Sequence, residues 1–118
     1  MFRETIQKVV DRLEGGIAGV LMGFDGILVE GYTRPKSTTD INTVGMEFAH
    51  ILTQVKRAAE LLEVGAVEEM TLQAEHLTVA LRVISDEYFL AFVFAPSANL
   101  GKARYLLRLS VPAIAAEL

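Results

Sequence analysis

The stretch Gly16–Gly31, GIAGVLMGFDGILVEG, reads as strand, tight turn and strand. Ile17–Met22 is an unbroken apolar run, Phe24-Asp25-Gly26 is a turn signal, and Ile27–Val29 is a second apolar run. Asp tolerates a left-handed backbone and Gly adopts one without steric cost, so Asp25-Gly26 closes a hairpin cheaply. A strand with one wet face alternates polar and apolar residues. Ile17–Met22 does not, which predicts a strand in the middle of a sheet covered on both sides. The rest of the chain has to supply the two covers.

Toward the N-terminus, Phe2, Ile6, Val9, Val10 and Leu13 recur at helical spacing, which predicts a helix over Phe2–Glu14 that Gly15-Gly16 ends. Toward the C-terminus, Tyr32–Asp40 has loop composition, with Arg34-Pro35-Lys36 inside it and a helix N-cap at Thr39 or Asp40. Ile41–Glu63 is the longest predicted helix. Ile41, Val44, Phe48, Ile51, Leu52, Val55, Ala58, Ala59 and Leu62 form its core stripe, and Gly65 ends it. Val67–Glu75 alternates, with Met70, Leu72 and Ala74 on one side and Glu69, Thr71 and Gln73 on the other, the pattern of a half-exposed strand.

Leu77–Ile84 follows as a further strand after the short step at Glu75-His76. Tyr88–Ala95, YFLAFVFA, is again apolar on both faces, which makes it the natural neighbour of Ile17–Met22 in the sheet centre. Ser97 or Asn99 caps a last helix through Leu100, Ala103, Leu106, Leu107, Ser110 and Val111, and Pro112 is expected to kink or restart it before Ala113–Leu118. The order helix, two strands, helix, three strands, helix is of the α+β class. With no repeat, linker or low-complexity segment, residues 1–118 are expected to form a single domain.

Composition excludes several functions. The 118 residues carry a net charge of -4 with no basic tract, which argues against nucleic acid and against a polybasic membrane contact. No cysteine is present, so thiol chemistry and cysteine zinc sites are absent. The N-terminus lacks a signal-peptide apolar core, and no apolar run reaches the roughly 18 residues of a membrane span, so the expected location is the cytoplasm, without membrane insertion. Apolar residues make up 52% and mean hydropathy is +0.37. For so small a chain that is high, and it points to surface buried against another copy or a partner.

The catalytic inventory is thin, and the chain reads as a non-enzyme with neither cofactor nor metal. His50 and His76 have no ligand-type spacing, and no phosphate-binding glycine loop is present. Asp25 is explained by its turn, and adjacent Glu68 and Glu69 on a strand point to opposite faces. Arg34 is the one loop arginine positioned to act as an arginine finger, or with Lys36 to meet an acidic partner; a solvated loop explains both equally. The long helix is distinctive on the side away from its core stripe. Met46, Ala49, His50 and Thr53 leave the first half of that side nearly uncharged, and Lys56 and Arg57 follow only later. Small and flexible residues of this kind suit close contact with another helix.

Two stretches, GIAGVLMGFDGILVEG and Asn99-Leu100-Gly101-Lys102-Ala103-Arg104-Tyr105-Leu106-Leu107-Arg108, together with the element order, resemble the Roadblock family of dynein light chains and their bacterial relatives. Within that family the compact length and the Met-Gly-Phe-Asp-Gly turn are most similar to the short adaptor members of the bacterial Mgl-type polarity and gliding regulators. The resemblance implies the order α-β-β-α-β-β-β-α, with a five-stranded antiparallel sheet, the long helix on one face and the two terminal helices on the other. It further implies a homodimer in which the long helices pair and edge strands join the sheets. Here that involves Ile41–Glu63 and Val67–Ala74, with Met46, Ala49, His50, Thr53, Lys56, Arg57, Glu69, Thr71 and Gln73 as contact candidates.

The family's role, by the same resemblance, is to serve as a platform for Ras-like small GTPases or for other Roadblock proteins in polarity and motility. A non-enzymatic homodimeric adaptor is the leading expectation. A GTPase-activating protein is the alternative, set back because the chain stops at Leu118 without the extension of the activating members. A small-molecule sensor is a third, opposed by the bulk of Phe89, Phe92 and Phe94 in the layer where a ligand would sit.

Overall fold

In the computed structural model, which describes residues 1–118, the chain runs α1 (Phe2–Arg12), β1 (Gly16–Gly23), β2 (Leu28–Thr33), α2 (Ile41–Leu62), β3 (Glu69–Gln73), β4 (Thr78–Val83), β5 (Tyr88–Phe94) and α3 (Leu100–Ala115). The five strands form one antiparallel sheet in the order β2-β1-β5-β4-β3. The two runs that are apolar on both faces are neighbours in its middle, with Val20 opposite Ala91 and Leu21 opposite Leu90. Alternation sorts their side chains into two cores. Ala18, Val20, Met22, Phe89, Ala91 and Val93 meet Phe48, Ala49 and Leu52 of α2. Leu21, Leu90, Phe92 and Phe94 meet Ile6, Val10 and Leu13 near the N-terminus and Ala103, Leu107 and Ile114 of α3. The two covers required by Ile17–Met22 are therefore α2 on one face and α1 with α3 on the other.

The predicted caps and turns hold these elements in place. Asp25 accepts from the Ile27 N–H at 3.0 Å, and Gly26, at φ 84°, closes the turn. Asp40 accepts from the N–H groups of Asn42 and Thr43 at 3.1 and 3.2 Å, and Asn99 accepts from Lys102 N–H at 3.0 Å. Glu63, in the left-handed region at φ 55°, terminates α2 two residues before Gly65.

Three expectations need correction. β2 begins after the apolar residue Ile27 and continues through Thr33, so Tyr32 belongs to a strand and not to the loop. As an outer strand, β2 leaves Leu28 and Val29 exposed together with the neighbouring Ile27, and buries Tyr32 instead, packed with the α1 core. The helix α3 does not restart at Pro112 but continues through it to Ala115. On α2, Ile51, Ala58 and Leu62 are not in the core, because the helix meets the sheet along a narrower arc of Gly45, Phe48, Ala49, Leu52 and Ala59. A Cβ on Gly45 would lie only 2.7 Å from Met22 Cε, and this close approach draws that arc inward.

Candidate functional site

The expected contact residues separate into three places. Ala49 is not on the outer face at all: it is 2% exposed and belongs to the core beneath α2, one turn after Gly45. Its carbonyl accepts from Thr53 Oγ1 at 3.0 Å. Met46, His50, Thr53 and Arg57 are exposed along the outer flank of α2 that borders the β1–β2 turn. Met46 Cγ lies 3.9 Å from where a Cβ on Gly26 would stand, and Lys56 Nζ sits 4.0 Å above the Phe24 ring. Phe24, Thr53, Lys56, Arg57 and Glu60 line a shallow hollow of about 330 Å3 there.

Glu69, Thr71 and Gln73 share the other face of the sheet, the one covered by α1 and α3. Glu69 is engaged within the chain: Arg82 Nη1 donates to Oε1 at 3.4 Å, and Arg104 of α3 donates to Oε2. These two guanidinium groups, Arg104 foremost, hold its carboxyl below the usual carboxylate range. Thr71 is half-buried and Gln73 exposed. His50 and His76 lie far apart in sequence on exposed positions, and no cluster of metal-ligating side chains forms.

The two outer strands are not equivalent. On β2, the Gly31 N–H donates to Glu30 Oε1 at 3.0 Å and Arg3 Nη1 donates to the Gly31 carbonyl at 3.1 Å. Side chains thus occupy main-chain groups that another strand would need. On β3, the register pairs Met70 with Leu81 and Leu72 with Val79, and no side chain bonds to the main chain of Glu69–Gln73. Met70 and Leu72 stand on the α2 face. Leu72 is 47% exposed there because α2 lies over β1 and β2 and leaves β3 uncovered.

Sequence reasoning missed the flank of α2 opposite Met46. Val44, Ile51, Ala58 and Leu62 recur at helical spacing and run along it, with Ile51 38% and Leu62 71% exposed. In the sequence they were indistinguishable from core residues. Only the path of α2 across the sheet separates them. This flank and the exposed Leu72 of the open strand β3 are apolar surface on the same face of the sheet.

The loop arginine is also accounted for. Arg34 Nη2 donates to the carbonyls of Val10 and Leu13 at 2.8 and 3.3 Å, and its Nε lies 3.4 Å from Asp11 Oδ1. Tyr32 Oη donates to the same Asp11 oxygen at 3.2 Å; burial, reinforced by that carboxylate, pushes the phenol pKa up. The guanidinium closes the C-terminal end of α1. Under α2, Phe89 fills the layer and packs 5.6 Å from Phe24.

No protein-family model and no curated protein sequence matches the chain. Among solved structures it is similar to MglC from Myxococcus xanthus, with 39% identity over 99% of this chain and 98% of that one, at a TM-score of 0.73. It shares its fold with the gliding protein MglB from Thermus thermophilus, at 18% identity, TM-score 0.85 and coverage of 96% and 84%. A Roadblock domain from Streptomyces avermitilis has the same fold at 12% identity, TM-score 0.83 and coverage of 94% and 92%. The identity to MglC extends over nearly the whole of both chains, and the element order and sheet are those expected of the fold: the chain belongs to the Roadblock family and is of its Mgl type.

Proposed function

We propose that the protein is a non-enzymatic, homodimeric adaptor of bacterial polarity or gliding motility that binds a Ras-like small GTPase, a second Roadblock protein, or both. The observation that carries this reading is the apolar surface exposed on one face of the molecule, Ile51 and Leu62 on α2 and Leu72 on the open strand β3. A strand edge alone buries too little for a stable pair, which takes on the order of 1,200 Å2 in total. The edge supplies main-chain hydrogen bonds and register, while Ile51, Leu62 and Leu72 supply the apolar area.

Pairing through that flank leaves the opposite one, with Met46, His50, Thr53, Lys56 and Arg57, open to a different protein. It combines an exposed methionine with a hollow lined by Phe24, Thr53, two cations and Glu60, a mixed surface of the kind that suits a polar protein partner. The gliding-protein relative supports motility as the setting. The test is to mix the protein with candidate Ras-like GTPases loaded with GTP or GDP, and with Roadblock regulators, and to follow mass by light scattering. A mass gain with either class supports the adaptor. Acceleration of GTP turnover by catalytic amounts would replace it with an activating protein, and no gain with any candidate would remove the reading.

A further inference from the structure

A second surface lies on the opposite side of the molecule. Between α1 and α3 runs a groove of about 240 Å3, lined by four residues from each helix. Its floor is apolar, with Val9 and Leu106 each 6% exposed, and its α3 wall is Leu109, 55% exposed, with Ala113 below it. The α1 wall is Lys8 and Arg12, one turn apart. No carboxylate lines the groove, in a chain whose net charge is -4. None of the ion pairs in the chain uses Lys8 or Arg12. Lys102 continues the same flank of α3 one turn before Leu106 and is unpaired too.

We propose that this groove docks an acidic amphipathic helix of a partner protein, its apolar stripe on Leu109 and Ala113 above the buried Val9 and Leu106, and its carboxylates toward Lys8 and Arg12. The lining residues run from Thr5 to Arg12 on α1 and from Leu106 to Ala113 on α3, about two helical turns each, so two to three turns of a partner helix match the groove's length. A helix laid across two others presents apolar residues at i, i+3, i+4 and i+7, which matches an apolar floor bounded by a cationic wall. Nucleic acid fits less well, because an apolar floor offers nothing to a phosphate backbone. This surface is independent of β3 and of the Met46 flank, so one partner here does not displace another there.

The test uses the full chain and a labelled peptide of about three turns with Leu at i, i+3, i+4 and i+7 and Glu at the remaining positions, followed by fluorescence anisotropy. The expected result is saturable binding that weakens with salt, falls by about tenfold or more in the double variant Lys8→Glu/Arg12→Glu, and falls similarly in Leu109→Glu. The variant Arg108→Glu, on the other flank of α3, is expected to bind within about twofold of the unchanged chain. Circular dichroism and mass identical to the parent confirm that the variants are folded. Failure of the peptide to bind, equal binding of the same peptide with Lys in place of Glu, or indifference to Lys8→Glu/Arg12→Glu would each overturn the proposal.

Discussion

Arg34 Nη2 donates to the Val10 carbonyl at 2.8 Å, so the arginine that looked most available in the sequence is the one that closes a helix. It satisfies carbonyls that α1 leaves open at its C-terminal end and places a positive charge where the helix dipole favours one. The variant Arg34→Ala is expected to lower stability by about 1–2 kcal/mol in urea unfolding. Any effect of the protein on a partner's GTP turnover should survive the change, since no finger is removed. A loss of such an effect with unaltered stability would restore the finger.

The glycines of the opening stretch are under different constraints, and this gives a graded expectation. A Cβ on Gly19 would lie 2.6 Å from Ile6 Cγ2 and 2.6 Å from Phe92 Cε1, so Gly19→Ala should cost about 1–3 kcal/mol as core side chains shift. A Cβ on Gly16 would lie 2.4 Å from the Val10 carbonyl oxygen, which is main chain and cannot rotate away. Gly16→Ala should therefore be at least as damaging. Equal stability of all three proteins in urea would contradict the packing described for α1 on β1.

Glu69 sets a pH dependence. Its carboxyl pKa is held below the ordinary value, chiefly by the hydrogen bond from Arg104 and then by the two guanidinium charges. A carboxyl depressed in the folded state binds its proton more readily when unfolded. Its stabilisation is present in full above the ordinary glutamate value of about 4.3 and is lost as pH falls through the lower folded value. The variant Glu69→Gln should melt lower at neutral pH and should show a shallower decline in melting temperature between about pH 5 and pH 3. Parallel acid profiles for the two proteins would mean that Arg82 and Arg104 do not stabilise the charged form.

Two neighbouring positions on α2 should separate folding from binding. Ala49→Arg forces a cation into a core site that is 2% exposed and should destabilise by several kcal/mol, with loss of helical signal on mild heating. Met46→Glu, on a side chain 51% exposed, should change stability by no more than about 0.5 kcal/mol while weakening capture of a GTPase or Roadblock partner. If Met46→Glu leaves every partner interaction intact, that flank is not the contact surface.

What was legible in the sequence follows from how local each signal is. Apolar runs without alternation at Ile17–Met22 and Tyr88–Ala95 identified the two central strands, and side chains such as Asp40 and Asn99 marked helix starts, because these effects act within a few residues. The strand assignment of Tyr32 failed because its burial comes from α1, some 20 residues away in sequence, through Asp11. The exposed apolar flank of α2 was the least legible part. Ile51 and Leu52 are adjacent and equally apolar, yet Leu52 is fully buried and Ile51 is 38% exposed, a difference set by how closely Gly45 lets α2 approach Met22. Ala49 was misplaced for the same reason: a small residue fits either a helix-helix contact or a close helix-sheet contact, and only the packing decides between them.

The central claim is that β3 and the Ile51 flank of α2 join two copies of the chain. Light scattering coupled to size exclusion, on the parent and on the double variant Ile51→Glu/Leu72→Glu, tests it most directly. The account predicts twice the chain mass of 12.9 kDa for the parent and a single chain mass for the variant, with circular dichroism unchanged. A parent that runs as a single chain at micromolar concentration, or a folded variant that keeps the doubled mass, would contradict it.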